Sequence, residues 1–333
     1  MTMIAARQRS IEFQEVPATA RSPYNQLPFG NGATQMNLLK LPTGNGNRRL
    51  MLRTLMASLA AFALKPGRVL AQTAIPRTLR IGLTPAFVHD QHLLMADWRR
   101  YLESRLGVPV EFMSRNSYRE TMDLLHQGRL DFAWLCDYPF LYLKDLVRLL
   151  AIPLNQGRPY YRSYLIVAAD DQRRNGMADL KGAAFAYSDP YSNTGYLVPR
   201  YQVRQLGADP ATFFRKTFFT WSHRKAVEAV ATGMADGAAI DSFVWDTLAK
   251  VKPELTGRTR IIDRSPEYAF PPFAAHRSVS AQDFAAMQRV LLDMPNDPTG
   301  RILLERLNID GFIIGERRMY DSVAVMMRAF GEY

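Results

Sequence analysis

The sequence predicts an α/β protein of two lobes, each a mixed, mostly parallel sheet flanked by helices, with two crossing strands as a hinge. Three observations carry this. Strand-like and helix-like segments alternate from Leu79 onward, the order that builds parallel sheets covered by helices. Two longer extended runs, residues 160–169 and 268–275, interrupt that alternation and read as passages from one lobe to the other and back. The chain after residue 71 is also long enough for two units that each bury a core.

The elements follow in order. Residues 79–84 read as a strand, and 93–106 as a helix with Leu94, Trp98, Tyr101, Leu102 and Leu106 on one face. Residues 108–113, 118–127 and 131–135 continue as strand, helix and strand. Beyond the first crossing, strands at 183–187, 217–220 and 237–240 alternate with helices at 195–206, 224–232 and 241–250. Helices at 281–293, 299–307 and 318–330 return to the first lobe. The expected division is therefore 72–165 plus 266–333 for one lobe and 166–265 for the other. Small ligands are buried in a cleft of this kind, at the carboxyl ends of strands.

The first 71 residues read as an extension and export signal that is removed. They hold nine Lys/Arg against two Asp/Glu. Arg48-Arg49, in a setting that resembles a twin-arginine signal, precedes a ten-residue apolar run at 55–64, and Val69-Leu70-Ala71 fits cleavage after Ala71. Ten residues are too few to cross a bilayer, which takes about 20. Among Met1, Met36 and Met51, Met36 is the start that keeps the arginine pair closest to the terminus. Without this segment the formal charge falls from +11 to +4. That removes the main support for a nucleic-acid partner but still suits attraction of small anions. The single cysteine, Cys136, excludes an internal disulfide. His89 and His92 have no acidic or thiol partner at ligand spacing, so no metal or other cofactor is expected. No nucleophile elbow, Walker loop or zinc-protease motif occurs, and no enzyme is expected.

The chemistry concentrates in Asp189-Pro190-Tyr191-Ser192-Asn193-Thr194-Gly195-Tyr196-Leu197, where a strand hands over to a helix. The first amides of a helix lack internal partners and carry partial positive charge, and small hydroxylated residues add donors there. A plain N-cap is the alternative reading of the same residues. Leu180-Lys181-Gly182, then Ser192 through Pro199, resembles the phosphonate/phosphite/phosphate-binding proteins of bacterial ABC transporters, which have the type II periplasmic-binding-protein fold. Further matches are Arg80-Ile81-Gly82-Leu83-Thr84-Pro85, Asp131-Phe132-Ala133-Trp134-Leu135 and Ser222-His223-Arg224-Lys225-Ala226-Val227, so the resemblance spans about 79–320.

The resemblance implies that Ser192, Asn193, Thr194 and His223 hold the oxyanion. The family pattern is nearer Ser-Ser-Thr-Ser-Gly, with Tyr191 and Asn193 departing from it here. Loop positions expected to converge with them are Thr84, Tyr118, Cys136, Tyr138, Gly195 and Asp241. Asp241 has two readings, a partner for a cationic substituent or the N-cap of the next helix. The implied partners are a small anionic ligand and a membrane ABC permease, with the protein a periplasmic monomer. Cys136 opens an alternative: a packing hydrophobe in one reading, it is in the other a thiol for arsenite or another thiophile, in a sensor that signals to a membrane histidine kinase.

Overall fold

The computed structural model describes residues 77–84 and 92–333. The expected export signal, the arginine pair, cleavage after Ala71, Pro85 and His89 lie outside the described residues, as does the His92 side chain.

The chain runs β1 (Leu79–Leu83), α1 (His92–Leu106), β2 (Val110–Ser114), α2 (Tyr118–His126), β3 (Phe132–Trp134), α3 (Asp137–Tyr142) and β4 (Val147–Leu154). It continues through β5 (Tyr160–Tyr161), β6 (Ser163–Ala168), β7 (Ala184–Tyr187), α4 (Val198–Gln205), α5 (Pro210–Phe213), β8 (Lys216–Phe219), α6 (His223–Ala231), β9 (Gly237–Asp241), α7 (Ser242–Val251), α8 (Pro253–Thr256) and β10 (Thr259–Arg264). It closes with β11 (Tyr268–Ala269), β12 (Phe273–His276), α9 (Ala281–Asp293), α10 (Pro298–Leu307), β13 (Gly311–Ile313) and α11 (Asp321–Ala329).

One sheet has the order β13-β4-β12-β3-β1-β2, the other β10-β6-β9-β7-β8. β1 is parallel to β2 and β3, and β7 to β8 and β9, whereas the returning strands β12, β13, β6 and β10 pair antiparallel. Both sheets are thus mixed. Each extended run is split: 160–169 becomes β5 and β6, and 268–275 becomes β11 and β12. β5 and β11 form a separate two-stranded ladder, Tyr161 opposite Tyr268. Just beyond it, Ser163 donates its amide to Ser265 Oγ (2.9 Å), and Ser265 returns its amide to Ser163 O (3.0 Å). The two passages are therefore hydrogen-bonded to each other, as a hinge of paired strands requires.

α1 shows why the first sheet forms. Its apolar stripe puts Trp98, fully buried, against Phe112 of β2, Trp134 of β3 and Phe273 of β12, with ring centroids 5.1, 6.2 and 6.3 Å away. Leu197, Val198 and Phe243, from the neighbourhood of the second sheet, belong to the same apolar cluster as the first sheet's core. Elements of both sheets therefore meet in one buried region, and the polar groups described next lie around it.

Candidate functional site

Ser192 caps a helix whose first turn is wide. The reading from sequence starts this helix at 195; it starts at Asn193 with a π turn, Asn193–Leu197, that runs into α4. Pro199 is the cause. Lacking an N–H, it cannot bond Gly195 O, which instead accepts from Ser188 N (3.3 Å). The Val198 amide reaches back to Asn193 O, and Thr194 O is taken by the Ser163 hydroxyl (2.7 Å). π turns of this kind recur at functional sites.

The Ser192 hydroxyl is oriented by two neighbours. Its oxygen accepts from Gly195 N (3.0 Å) and lies 3.2 Å from His223 Nε2. His223 Nδ1 accepts the amide of Asp241 (3.1 Å), so the neutral ring carries its proton on Nε2 and donates it to Ser192. Burial pushes the imidazole down to about 3, so it is neutral across the physiological range. With both lone pairs of Ser192 Oγ occupied, its own hydrogen is free for a ligand. His223 acts through Ser192, not as a charge.

Tyr118 N at the start of α2 donates to Asp189 Oδ2 (3.1 Å), and Tyr191 N to Asp189 Oδ1 (2.8 Å). A carboxylate from beside the second sheet thus sits on a helix N-terminus of the first. The Tyr118 phenol is held well above its usual range by burial and by Cys136, Asp189, Asp241 and Asp137. Those groups therefore converge on one locus. Asp241 is the N-cap of α7, Oδ1 accepting from Phe243 N (2.8 Å) and Val244 N (3.3 Å), and it is also buried beside the cluster. The structure thus shows the N-cap reading of Asp241.

Cys136, at the N-cap of α3, donates to Asp137 Oδ1 (3.0 Å), and its sulfur lies 3.5 Å from Asn193 N. Burial and the Asp137 charge push the thiol well up, the reverse of what a thiolate ligand for a soft metalloid needs. Asn193 turns its Nδ2 to Asp137 Oδ2 (2.8 Å) and Tyr161 OH (3.2 Å). Thr84, at the end of β1, donates its hydroxyl to Trp134 O (3.2 Å). The Tyr138 ring packs edge-on against Tyr191 (centroids 5.8 Å), but its hydroxyl bonds outside the set: it donates to Glu332 Oε2 (3.1 Å), and Arg200 donates to the same carboxylate through both terminal nitrogens (3.0 and 3.1 Å).

Tyr161, Ser163 and Ser188 escaped the sequence reading, and Asp137 and Asp189, though inside the expected loops, were given no role there. Among the described residues six buried side-chain atoms have no hydrogen-bond partner in the protein; Ser188 Oγ, Asn193 Oδ1 and Thr194 Oγ1 fall together here, and Trp98 Nε1, Thr121 Oγ1 and Arg148 Nε lie elsewhere. Three orphaned polar atoms within one loop, beside a buried helix start, mark a place that a bound species or ordered water can fill. Among the described residues the buried polar set is Ser, Thr, Asn, Asp and His, without Lys or Arg. Dipoles and hydroxyls of this kind are able to hold a small anion without a cationic side chain.

The buried carboxyls set a pH dependence. Burial, aided by Asp137, pushes Asp241 up to about 8, and burial pushes Asp137 and Asp189 up to about 6. The unfolded chain ionises Asp241 near 4, so between pH 6.5 and 8 the folded state binds more protons and stability falls as pH rises. His223 opposes this only below about pH 6.5, where its depressed pKa costs stability on acidification. We expect the ligand-free protein to lose roughly 1–2 kcal/mol over this window, a few degrees in melting temperature. Asp241→Asn should flatten the slope in thermal melts; an unchanged slope would assign it elsewhere.

Two sheets joined by paired passages, with helix N-termini and hydroxyls meeting between them, define a solute-binding protein of the type II periplasmic class. Residues 81–320 match the family described as ABC transporter, phosphonate, periplasmic substrate-binding protein, and the chain belongs to it. Its members are solute-binding proteins, not enzymes. The chain is 26% identical over 246 residues to the phosphate-import protein PhnD of Mycolicibacterium smegmatis, covering 68% of this chain and 75% of that one. It is also 26% identical over 227 residues to the phosphonates-binding periplasmic protein of Escherichia coli, covering 66% and 67%. In fold it is similar to PhnD1 of Prochlorococcus marinus in complex with methylphosphonate, with a TM-score of 0.69 at 20% identity, covering 78% of this chain and all of that one.

Proposed function

We propose that this protein captures a phosphonate, phosphite or phosphate in the interlobe cleft and delivers it, as a monomer, to a membrane ABC permease. The lobes are taken as 72–165 with 266–333, and 166–265. Thr84, Tyr118, Cys136, Asn193, Gly195, His223 and Asp241 form or shape the cage. Ser192 and Thr194 are its hydroxyl donors, and Tyr138 borders it through its ring against Tyr191. The orphaned Thr194 hydroxyl beside the oriented Ser192 hydroxyl carries this reading, because a buried pair of donors needs an acceptor that the protein does not supply. The relatives' names and the methylphosphonate complex point to the same ligand class.

The raised thiol of Cys136 favours transport over the thiophile sensor. Export through an arginine-pair signal cleaved after Ala71 completes the reading, and N-terminal sequencing of the exported protein tests it. Calorimetry with phosphite, methylphosphonate, phosphate and arsenite tests the ligand. We expect at least one phosphorus oxyanion to bind both wild type and Cys136→Ser, and arsenite to bind neither. Arsenite binding that Cys136→Ser abolishes would replace this reading with the sensor.

A further inference from the structure

We propose that Asp137 acts as a specificity-positioning residue: by fixing the Asn193 amide it presents Asn193 Oδ1 as a bare acceptor, so that the site requires a ligand bearing a hydrogen on oxygen. This rests on the ligand class proposed above and narrows it to protonated oxyanions. The geometry fixes the amide. Asp137 is fully buried, and its Oδ1 accepts from Tyr161 OH (2.6 Å) and from the Cys136 thiol (3.0 Å). Its Oδ2 therefore needs a donor, and the Asn193 Nδ2 group meets it at 2.8 Å. The Tyr161 hydroxyl has already given its hydrogen to Asp137, so toward Asn193 it too is an acceptor, 3.2 Å from Nδ2. Both amide hydrogens are engaged, and rotating the amide by half a turn would set Oδ1 against two acceptors. Asn193 Oδ1 is left buried and without a donor.

Three of the nearby carboxylate oxygens already receive backbone amides. Both Asp189 oxygens receive backbone amides, and Asp241 Oδ1 receives two. Asp137 takes donors from the Tyr161 hydroxyl, the Cys136 thiol and the Asn193 amide, so it faces Asn193 as an acceptor. A ligand oxygen without hydrogen would meet Asn193 Oδ1 lone pair to lone pair. A hydroxyl would satisfy it.

Methylphosphonate and methanesulfonate separate the idea from its alternatives. At pH 7 both are largely monoanions of one shape, and only the first carries an O–H. Calorimetry on the wild type should give at least roughly tenfold tighter binding of methylphosphonate, the cost of one buried unsatisfied contact. Asn193→Ser, whose hydroxyl rotates to donate, should narrow that ratio to about threefold or less. Asp137→Asn, which frees the amide to turn, should do the same. The exchange Asp137→Asn with Asn193→Asp again leaves one carboxylate oxygen as a bare acceptor and should restore the preference at lower affinity. A merely structural pair would weaken both ligands together and leave the ratio unchanged, which overturns the proposal. So does a wild type that binds both ligands alike. A wild type that binds neither these nor phosphite and phosphate overturns the proposed ligand class, and this inference with it.

Discussion

Gly195→Ala should abolish oxyanion binding at concentrations where the wild type saturates, a loss of at least about a hundredfold. The reason is space. A Cβ on Gly195 would stand 1.9 Å from Ser188 Oγ, 2.7 Å from Ser188 Cβ and 2.9 Å from His223 Cε1. Ser188 hangs on a short strand end whose amide is itself bonded to Gly195 O (3.3 Å), so the two cannot separate without disturbing the π turn. His223 is fully buried and held by the Asp241 amide, and it orients the Ser192 hydroxyl. One added methyl thus displaces an orphaned hydroxyl and the ring that aims a second one. Hydrogen bonds to charged groups contribute roughly 1.5–3 kcal/mol each, and misaligning two accounts for the loss. Overpacking should also lower stability by about 1–3 kcal/mol. Calorimetry with methylphosphonate and urea unfolding, run together, check both. Retained affinity would mean that the turn does not form the cage.

Much of the first sheet was legible because its signals are local. The 79–84 strand, the 93–106 stripe centred on Trp98 and the 131–135 strand each declare themselves within one period, and the structure places β1, α1 and β3 there. β4 was not read, since Val-Arg-Leu-Leu-Ala-Ile-Pro-Leu lacks alternation and Pro153 argues against a strand inside a sheet. Pro153 stands opposite Phe312 of β13, a three-residue strand too short to announce itself. Near the π turn, Ser192 and Thr194 were readable from hydroxyl and helix-start chemistry, and His223 through the family resemblance. Asp189 and Asp137 were not, because their partners Tyr118 and Asn193 lie 71 and 56 residues away, and a lone Asp at a strand end reads as a cap. Asn193 was assigned to ligand by position alone; its amide hydrogens belong to Asp137 and Tyr161. Tyr138 was placed by its strand alone. It follows the right strand, but its hydroxyl is claimed by Glu332 near the far end of the chain.

Ser192→Ala combined with Thr194→Val should weaken oxyanion binding by roughly 10²–10⁴-fold, the effect of removing two hydrogen bonds to a charged ligand at about 1.5–3 kcal/mol each. The two single changes are expected to differ in stability, and that difference is diagnostic. Ser192 is an N-cap, so Ser192→Ala removes the acceptor of Gly195 N and of His223 Nε2 and should cost the ligand-free protein about 1 kcal/mol or more. Thr194 Oγ1 is buried without a partner, so Thr194→Val exchanges an unsatisfied hydroxyl for a methyl of the same shape. The ligand-free protein should then be as stable as the wild type or more so, while its affinity falls. Stability and binding moving in opposite directions at one side chain is what a group held ready for a ligand must give. If Thr194→Val lowers both, the hydroxyl serves the fold, and the anion is held elsewhere.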